Sequence, residues 1–293
     1  HHVTVDGNTI VDLFTNGIAP AMLAIGGNLQ LGGSNGYGRM YLNNNMNKPL
    51  EVLGDVTIGN GDLAANTSVL ALEDSQPGGD LILHGNFTRH SGSVFTGYNR
   101  AVFLRGSNNS SIRVLPQPPA SSGTSIDEIF PYVFVQKSNP DAEITMNCTV
   151  GVNDQLDLTG NGLITSTTGN YLVIINKNSN AIIGGSATSF VNGPLIRRTA
   201  NTASNYHYPV GKKTGTGRVY RPLRFSTMNN LGNGDEFTGE YFSFTDATPS
   251  AGQDVLFGST IGGILKNEYW QFDRIPSSFA TGKLAITYQF SGT

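Results

Sequence analysis

Three carboxylates, Asp55, Asp62 and Asp80, share one stretch of this sequence with His84, Arg89 and His90. Side chains of these types cleave glycosidic bonds when two carboxylates face each other across a sugar, or hold Ca²⁺ when several oxygens converge. The spacing suits neither role. No Asp-Asp or Asp-x-Asp pair occurs among them, and on a stacked β scaffold they sit one rung apart at best. They read as solvated residues on strand faces, so no residue is assigned a catalytic role.

Other chemistry is equally thin. Gly32-Gly33-Ser34-Asn35-Gly36 and Gly59-Asn60-Gly61-Asp62 touch the pattern of Ca²⁺-binding β-rolls without repeating it. No metal ligand or cofactor is assigned, and a structural Ca²⁺ in a loop is the one metal left open. The five histidines are scattered except at His1-His2, which is no zinc pattern. The single cysteine, Cys148, excludes an internal disulfide, and its alternating neighbours make it a buried, inert thiol. Gly211-Lys212-Lys213-Thr214 invites comparison with a phosphate loop, but His207 stands where the upstream glycine belongs and no helix follows, so it reads as an ordinary loop. Tyr37, Tyr41 and Tyr98 fall in loops or at rung ends and offer ring faces to a sugar, though ordinary surface aromatics look the same.

Composition narrows the class. Across 293 residues, 13% are charged and 38% hydrophobic, with 37 glycines and a net charge of −3. No basic footprint for nucleic acid exists, since Arg197-Arg198 and Arg218, Arg221 and Arg224 are too sparse. No apolar run approaches the ~20 residues of a membrane helix. Few windows carry a helical period, so the chain reads as almost wholly β. Both ends look cut: the sequence starts at His1-His2 without Met or a signal peptide and stops just after a strand-like run, as a fragment would.

From Leu23 to about Leu104 one pattern returns: Gly27-Asn28-Leu29-Gln30, Gly54-Asp55-Val56-Thr57 and Gly85-Asn86-Phe87-Thr88. Alternate residues around each are apolar, the period of a strand. Strands this short have no core alone, but stacked in parallel each covers the next. Gly and Asn suit the corners because both tolerate φ > 0. An antiparallel sandwich, with Gly/Asn at hairpins, is the competing arrangement, and the recurring step favours the stack. Prolines in 115–125 imply an excursion, and Ser125-Ile126-Asp127-Glu128 resembles an N-cap box that predicts one short helical turn. Rungs then resume at Tyr132–Val135, Ile144–Val152, Leu156–Ile164, Tyr171–Ile175 and Ala181–Ile183, with corners at Asn153-Asp154, Gly160-Asn161-Gly162 and Gly169-Asn170. After Pro194 the pattern predicts longer strands at Tyr206–Val210, Val219–Ser226, Glu236–Thr245, Glu268–Arg274 and Lys283–Phe290. Turn clusters at Gly232–Asp235 and Thr248–Ser250 separate them, and Trp270 is expected to anchor their core or to pack against the end of the solenoid.

Four motifs occur in order: Val191, Gly193, Pro194 and Leu195; Tyr208, Pro209, Val210 and Gly211; Tyr220, Arg221 and Pro222; then Glu268, Tyr269, Trp270 and Arg274. Together they resemble the recurring module of large Bacteroidetes-type cell-surface proteins exported by the type IX secretion system. That resemblance carries no catalytic residues. It implies structural roles, with Gly211 in a tight turn, Pro194 and Pro222 at edges, and Arg221 or Arg274 paired with Glu268 or Asp273.

The expected fold is all-β: a right-handed parallel β-helix (solenoid) over 1–195, with its Pro-rich excursion near 115–125, followed by an antiparallel β-sandwich-like domain over 196–293, truncated at its C-terminus. The expected function is a non-enzymatic, extracellular structural or adhesive segment of a cell-surface protein, a rigid rod or scaffold that displays a binding surface. The alternative is a polysaccharide-binding or polysaccharide-cleaving module on the same scaffold. The resemblance implies flanking domains of one long chain and the type IX machinery as partners, with a surface glycan or protein as ligand. Neither nucleic acid nor membrane insertion is expected.

Overall fold

Leu29 and Leu31 flank Gln30, Val56 and Ile58 flank Thr57, and Leu50 and Val52 flank Glu51. A period of two sends the apolar pair to one face and the middle residue to the other. The computed structural model describes residues 1–13, 23–42, 48–61, 67–72, 79–116, 125–200, 204–215, 217–227, 235–243, 268–275 and 285–288. In it those apolar pairs are sealed from solvent, while Gln30, Thr57 and Glu51 stay partly exposed.

Such strands find their partners in other turns of the chain. Val3–Val5, Leu29–Leu31, Val56–Ile58, Phe87–His90, Ser110–Leu115, Glu143–Met146, Leu163–Thr165, Val191–Asn192 and Val210–Thr214 pair in that order, always in parallel. A second parallel ladder runs through Leu23–Ile25, Leu50–Val52, Leu81–Leu83, Ala101–Leu104, Glu128–Val135, Val150–Leu158, Leu172–Ile174 and Leu195–Arg198. Thr9–Leu13, Gly38–Leu42, Val69–Ala71 and Val94–Thr96 make a third. Parallel neighbours need long connections. Here those connections are the strands of the other ladders, so Leu29 faces Val56 and Val56 faces Phe87. The described chain is nearly all β with mostly parallel sheets, and its one helical piece is a 3₁₀ turn at Ser179–Ala181.

The recurring glycine has a different cause from the one expected. Gly27, Gly54 and Gly85 do not have positive φ. They stand where consecutive rungs touch: Gly54 N–H donates to the Gly27 carbonyl and Gly85 N–H to the Gly54 carbonyl, both at 3.0 Å. A Cβ on Gly54 would lie 2.2 Å from Asn28 Oδ1 and 2.7 Å from the Gly27 carbonyl carbon. Lack of space selects glycine there. The φ argument holds one step further on, at Gly32 and Gly59 (φ +85° and +91°).

Two local expectations fail. Residues 125–127 form no helical turn; Glu128 opens a strand, and Asp127 Oδ2 accepts the Thr149 N–H at 2.8 Å from the following rung. Asn153-Asp154 is no corner but lies inside Val150–Leu158, where the register against Glu128–Val135 slips by one residue between Phe130 and Tyr132. Pro131 sits at the slip, and a proline has no N–H to give the ladder, so the opposing strand bulges. Beyond the bulge the partner changes: Val150–Val152 pairs with Leu172–Ile174, and Leu156–Leu158 with Ile182–Gly184. The prolines at 118 and 119 and the turn clusters at 232–234 and 248–250 lie outside the described residues.

Past Leu195 the pairing turns antiparallel. Leu195–Arg198 is followed in its ladder by Glu236–Ser243 and Glu268–Ile275, and Val210–Thr214 folds back on Gly217–Tyr220. These strands prolong the two long ladders, while Ser204–Tyr208, Leu223–Thr227 and Ala285–Tyr288 form a separate antiparallel sheet. The expected strands 206–210 and 219–226 are each split at a proline, Pro209 and Pro222, which passes the chain between sheets. Phe225 joins the layers, its ring 4.6 Å from that of Phe237 and 4.9 Å from that of Phe272.

Gly54→Ala should lower stability by about 1–3 kcal/mol, the usual effect of overpacking. Gly26→Ala, whose Cβ would meet only His1 N at 3.4 Å, should change it far less. Urea unfolding of both variants checks this.

Candidate functional site

The charged residues singled out by sequence are placed on different ladders and occupied in holding them. Asn28 Oδ1 accepts the Asp55 N–H at 3.0 Å, Asp55 Oδ1 the Asn86 N–H at 2.7 Å, and Asn86 Oδ1 the Ser111 N–H at 2.9 Å. One side chain per rung thus caps the backbone of the next. Asp80 Oδ1 does the same for Ala101 N–H at 2.8 Å. His84 Nε2 meets Glu51 Oε1 at 2.8 Å, and Arg89 is spread over the Glu128 carboxylate and the carbonyls of Ser93 and Asp127. Burial and then Arg113 hold His90 below the usual histidine range. Asp62 lies outside the described residues. Nothing brings the others to a common point.

The remaining motifs also resolve into structure. Gly33 and Gly36 exchange N–H···O bonds across a tight turn, and Asn60 Nδ2 reaches the Gly33 carbonyl from the next rung. Among the described residues no three His, Cys, Asp or Glu side chains are placed to hold a metal. Gly211–Thr214 is strand rather than loop, with Lys213 paired to Glu143. Cys148 is buried, and burial first, then Asp127 and Glu128, push its thiol up to about 12. Tyr98 is 47% exposed at φ +45°, and Tyr37 lies under the Arg39 guanidinium.

Among the antiparallel strands past Leu195, arginines act as fasteners. Arg221 forks onto Glu268 (Nε–Oε2 2.8 Å, Nη2–Oε1 3.2 Å), and Trp270 Nε1 donates to the Arg221 carbonyl at 3.0 Å. Arg274 takes Asp235 at 2.6 Å, not Asp273. Composition gave no hint of Arg197 or Lys137, two cations buried without a carboxylate. Arg197 is 0% exposed, donates to the carbonyls of His207, Asn178 and Ser179, and lies over the Tyr206 ring. Lys137 Nζ donates to the carbonyls of Arg105 and Asn108 and to Ser110 Oγ, and burial lowers it to about 8. Burial, then Arg224 and Arg197, depress His207 to about 4.

A concave site lies on the antiparallel ribbon that follows the parallel ladders. Along Glu236–Ser243 and its partner Glu268–Ile275, Phe237, Tyr241, Trp270 and Phe272 pack inward against the core. Alternation therefore sends Thr238, Glu240 and Phe242, with Tyr269, Gln271 and Asp273, to the opposite face. Thr168, Tyr171 and Pro194, from the connections between parallel strands, close a cavity of about 240 Å³ against five of these six, Tyr269 standing behind Phe242 with its ring stacked at 4.8 Å. Gln271 Nε2 donates to Asp273 Oδ2 at 2.6 Å. Burial raises Glu240 above the usual carboxylate range, with Lys212 opposing, and Lys212 Nζ lies 5.5 Å from the Phe242 ring. No sequence motif singled out this face, although the period-two alternation in residues 238–242 was legible.

Compared with family models, with curated proteins and with solved structures, the chain shows no match. Its functional reading rests on its own residues and geometry.

If Asp55 serves the ladder, Asp55→Asn, which keeps Oδ1, should be nearly neutral, and Asp55→Ala should cost about 1 kcal/mol in urea unfolding. For His207 the folded value lies below the unfolded 6.5, so between about pH 4 and 6.5 the unfolded chain binds a proton that the folded chain refuses. Stability therefore falls as pH drops through that window. His207→Gln should remove on the order of 2 kcal/mol of that acid loss by pH 4.5, read from unfolding midpoints across the window.

Proposed function

We propose that this chain is a non-enzymatic segment of an extracellular surface protein, in which a right-handed parallel β-helix serves as a rigid rod or scaffold. What supports the winding is the order of the ladders: the chain visits each in turn and returns to the same one a rung later. The right hand follows from the twist of strands feeding parallel crossovers. The single observation that carries the mechanical reading is the line Asn28, Asp55, Asn86 and Ser111, in which a side chain of each rung bonds the backbone of the next. Bonds along the axis resist separation of the rungs. The eight rungs of the second ladder, at ~4.8 Å each, make a stack about 34 Å deep.

The surface address comes from the motif resemblance, and the geometry adds that the motif residues are fasteners. Arg221, Glu268 and Trp270 clamp two strands, and Gly211 has no room for a Cβ against the Val219 carbonyl and the Phe190 ring. In this reading the antiparallel strands after Leu195 finish the rod and offer it, through flanking domains of the same chain, to the cell surface. The type IX machinery is the export route that this resemblance implies.

Incubated with pectin, alginate and host glycans, the purified protein should release neither unsaturated products nor reducing ends above buffer. Turnover of any of them would replace this reading with that of a polysaccharide-cleaving enzyme.

A further inference from the structure

The cavity beneath Phe242 combines a half-buried carboxylate, a second carboxylate held by an amide, hydroxyls and two aromatic rings. Glu240 makes no hydrogen bond to another described residue, although burial disfavours its charge. A carboxylate removed from water without a donor is unfavourable, and a donor from a ligand would relieve it. From this geometry we propose that the cavity binds a neutral pyranose, taken through its hydroxyls by Glu240, Asp273 and Gln271 and covered by Tyr171. The proposal rests on the adhesive reading above and gives it a ligand class.

Charge selects neutrality. Glu240 and Asp273 repel a uronate or a phosphate. Lys212, whose ammonium lies by the Phe242 ring and acts on Glu240, opposes an amine. Hydroxyls suit the rest, because each both donates to a carboxylate and accepts from an amide such as Gln271. Size agrees. About 240 Å³ is below the ~300 Å³ at which drug-sized sites begin, which is room for one sugar ring rather than a long chain. Its position also agrees, since the residues come from two antiparallel strands, themselves paired to Leu195–Arg198, and from the connections beside the last parallel strands.

Saturation-transfer NMR and calorimetry on the intact protein test this with glucose, galactose, mannose and N-acetylglucosamine, and with glucosamine and glucuronate as charged controls. At least one neutral sugar should bind, and the charged controls at least about fivefold more weakly. Gln271→Ala, at an exposed position, and Glu240→Ala should each weaken binding about tenfold or more. Tyr98→Ala, far along the chain on an exposed turn, should leave it unchanged. If Glu240→Ala fails to fold, Gln271→Ala decides alone. No neutral binding, tighter binding of either charged control, or an unchanged Gln271→Ala would overturn the assignment. Such a failure without sugar release leaves the rod reading standing, whereas release of reducing ends strikes the rod reading and not the cavity.

Discussion

From Val3 to Val210 each rung depends on the hydrogen bonds it exchanges with the rungs on either side. A three-residue strand such as Leu50–Val52 has almost no interior of its own, and its two apolar side chains would stand in water. Placed between Leu23–Ile25 and Leu81–Leu83 it gains backbone partners on both edges and a dry face at once. Burial of a Leu or Val side chain contributes about 1.5–3 kcal/mol, so the gain recurs at every rung. The stack therefore stabilises collectively what no segment holds alone.

Close stacking explains residues that otherwise look like candidates for chemistry. Gly54 and Gly85 are small because the neighbouring rung fills the space where a Cβ would go. Asn28, Asp55 and Asn86 are short polar residues because their oxygens must reach a backbone N–H one rung away. A Gly-Asn/Asp step is thus a single device, with glycine allowing the approach and the next residue bonding across it. Arg89, Asp80 and Asp127 serve the same end elsewhere in the stack.

The change to antiparallel pairing after Leu195 alters what the surface can do. In the parallel part Asn28, Asp55, Asp80 and Asn86 are engaged by the backbone of other rungs. In the ribbon of Glu236–Ser243 and Glu268–Ile275, one face is sealed by Phe237, Tyr241 and Phe272, and the other is left with Glu240, Gln271 and Asp273 around a cavity. A buried cation marks the same transition. Arg197 ties the 3₁₀ turn at Ser179–Ala181 to the strand Ser204–Tyr208 through carbonyls alone, which orders the connection without an opposing carboxylate.

The sequence by itself determined the β class, the rung faces and the positions of most strands, because apolar alternation such as Leu29-Gln30-Leu31 and the recurring Gly-Asn/Asp step are local signals. The resemblance offered Arg221 with Glu268 as one of several pairings, and the structure chose among them. Only the tertiary structure decided that Asp55, Asp80 and Arg89 serve the ladders and not a site, since a carboxylate reads alike whether it faces water or a backbone N–H from a residue 31 positions away. It alone turned the corner expected at Asn153-Asp154 into a bulge, through Pro131 on the opposing strand. It alone put Tyr171 beside Glu240 and Gln271, because that meeting depends on register between strands far apart in the chain, which no local pattern encodes.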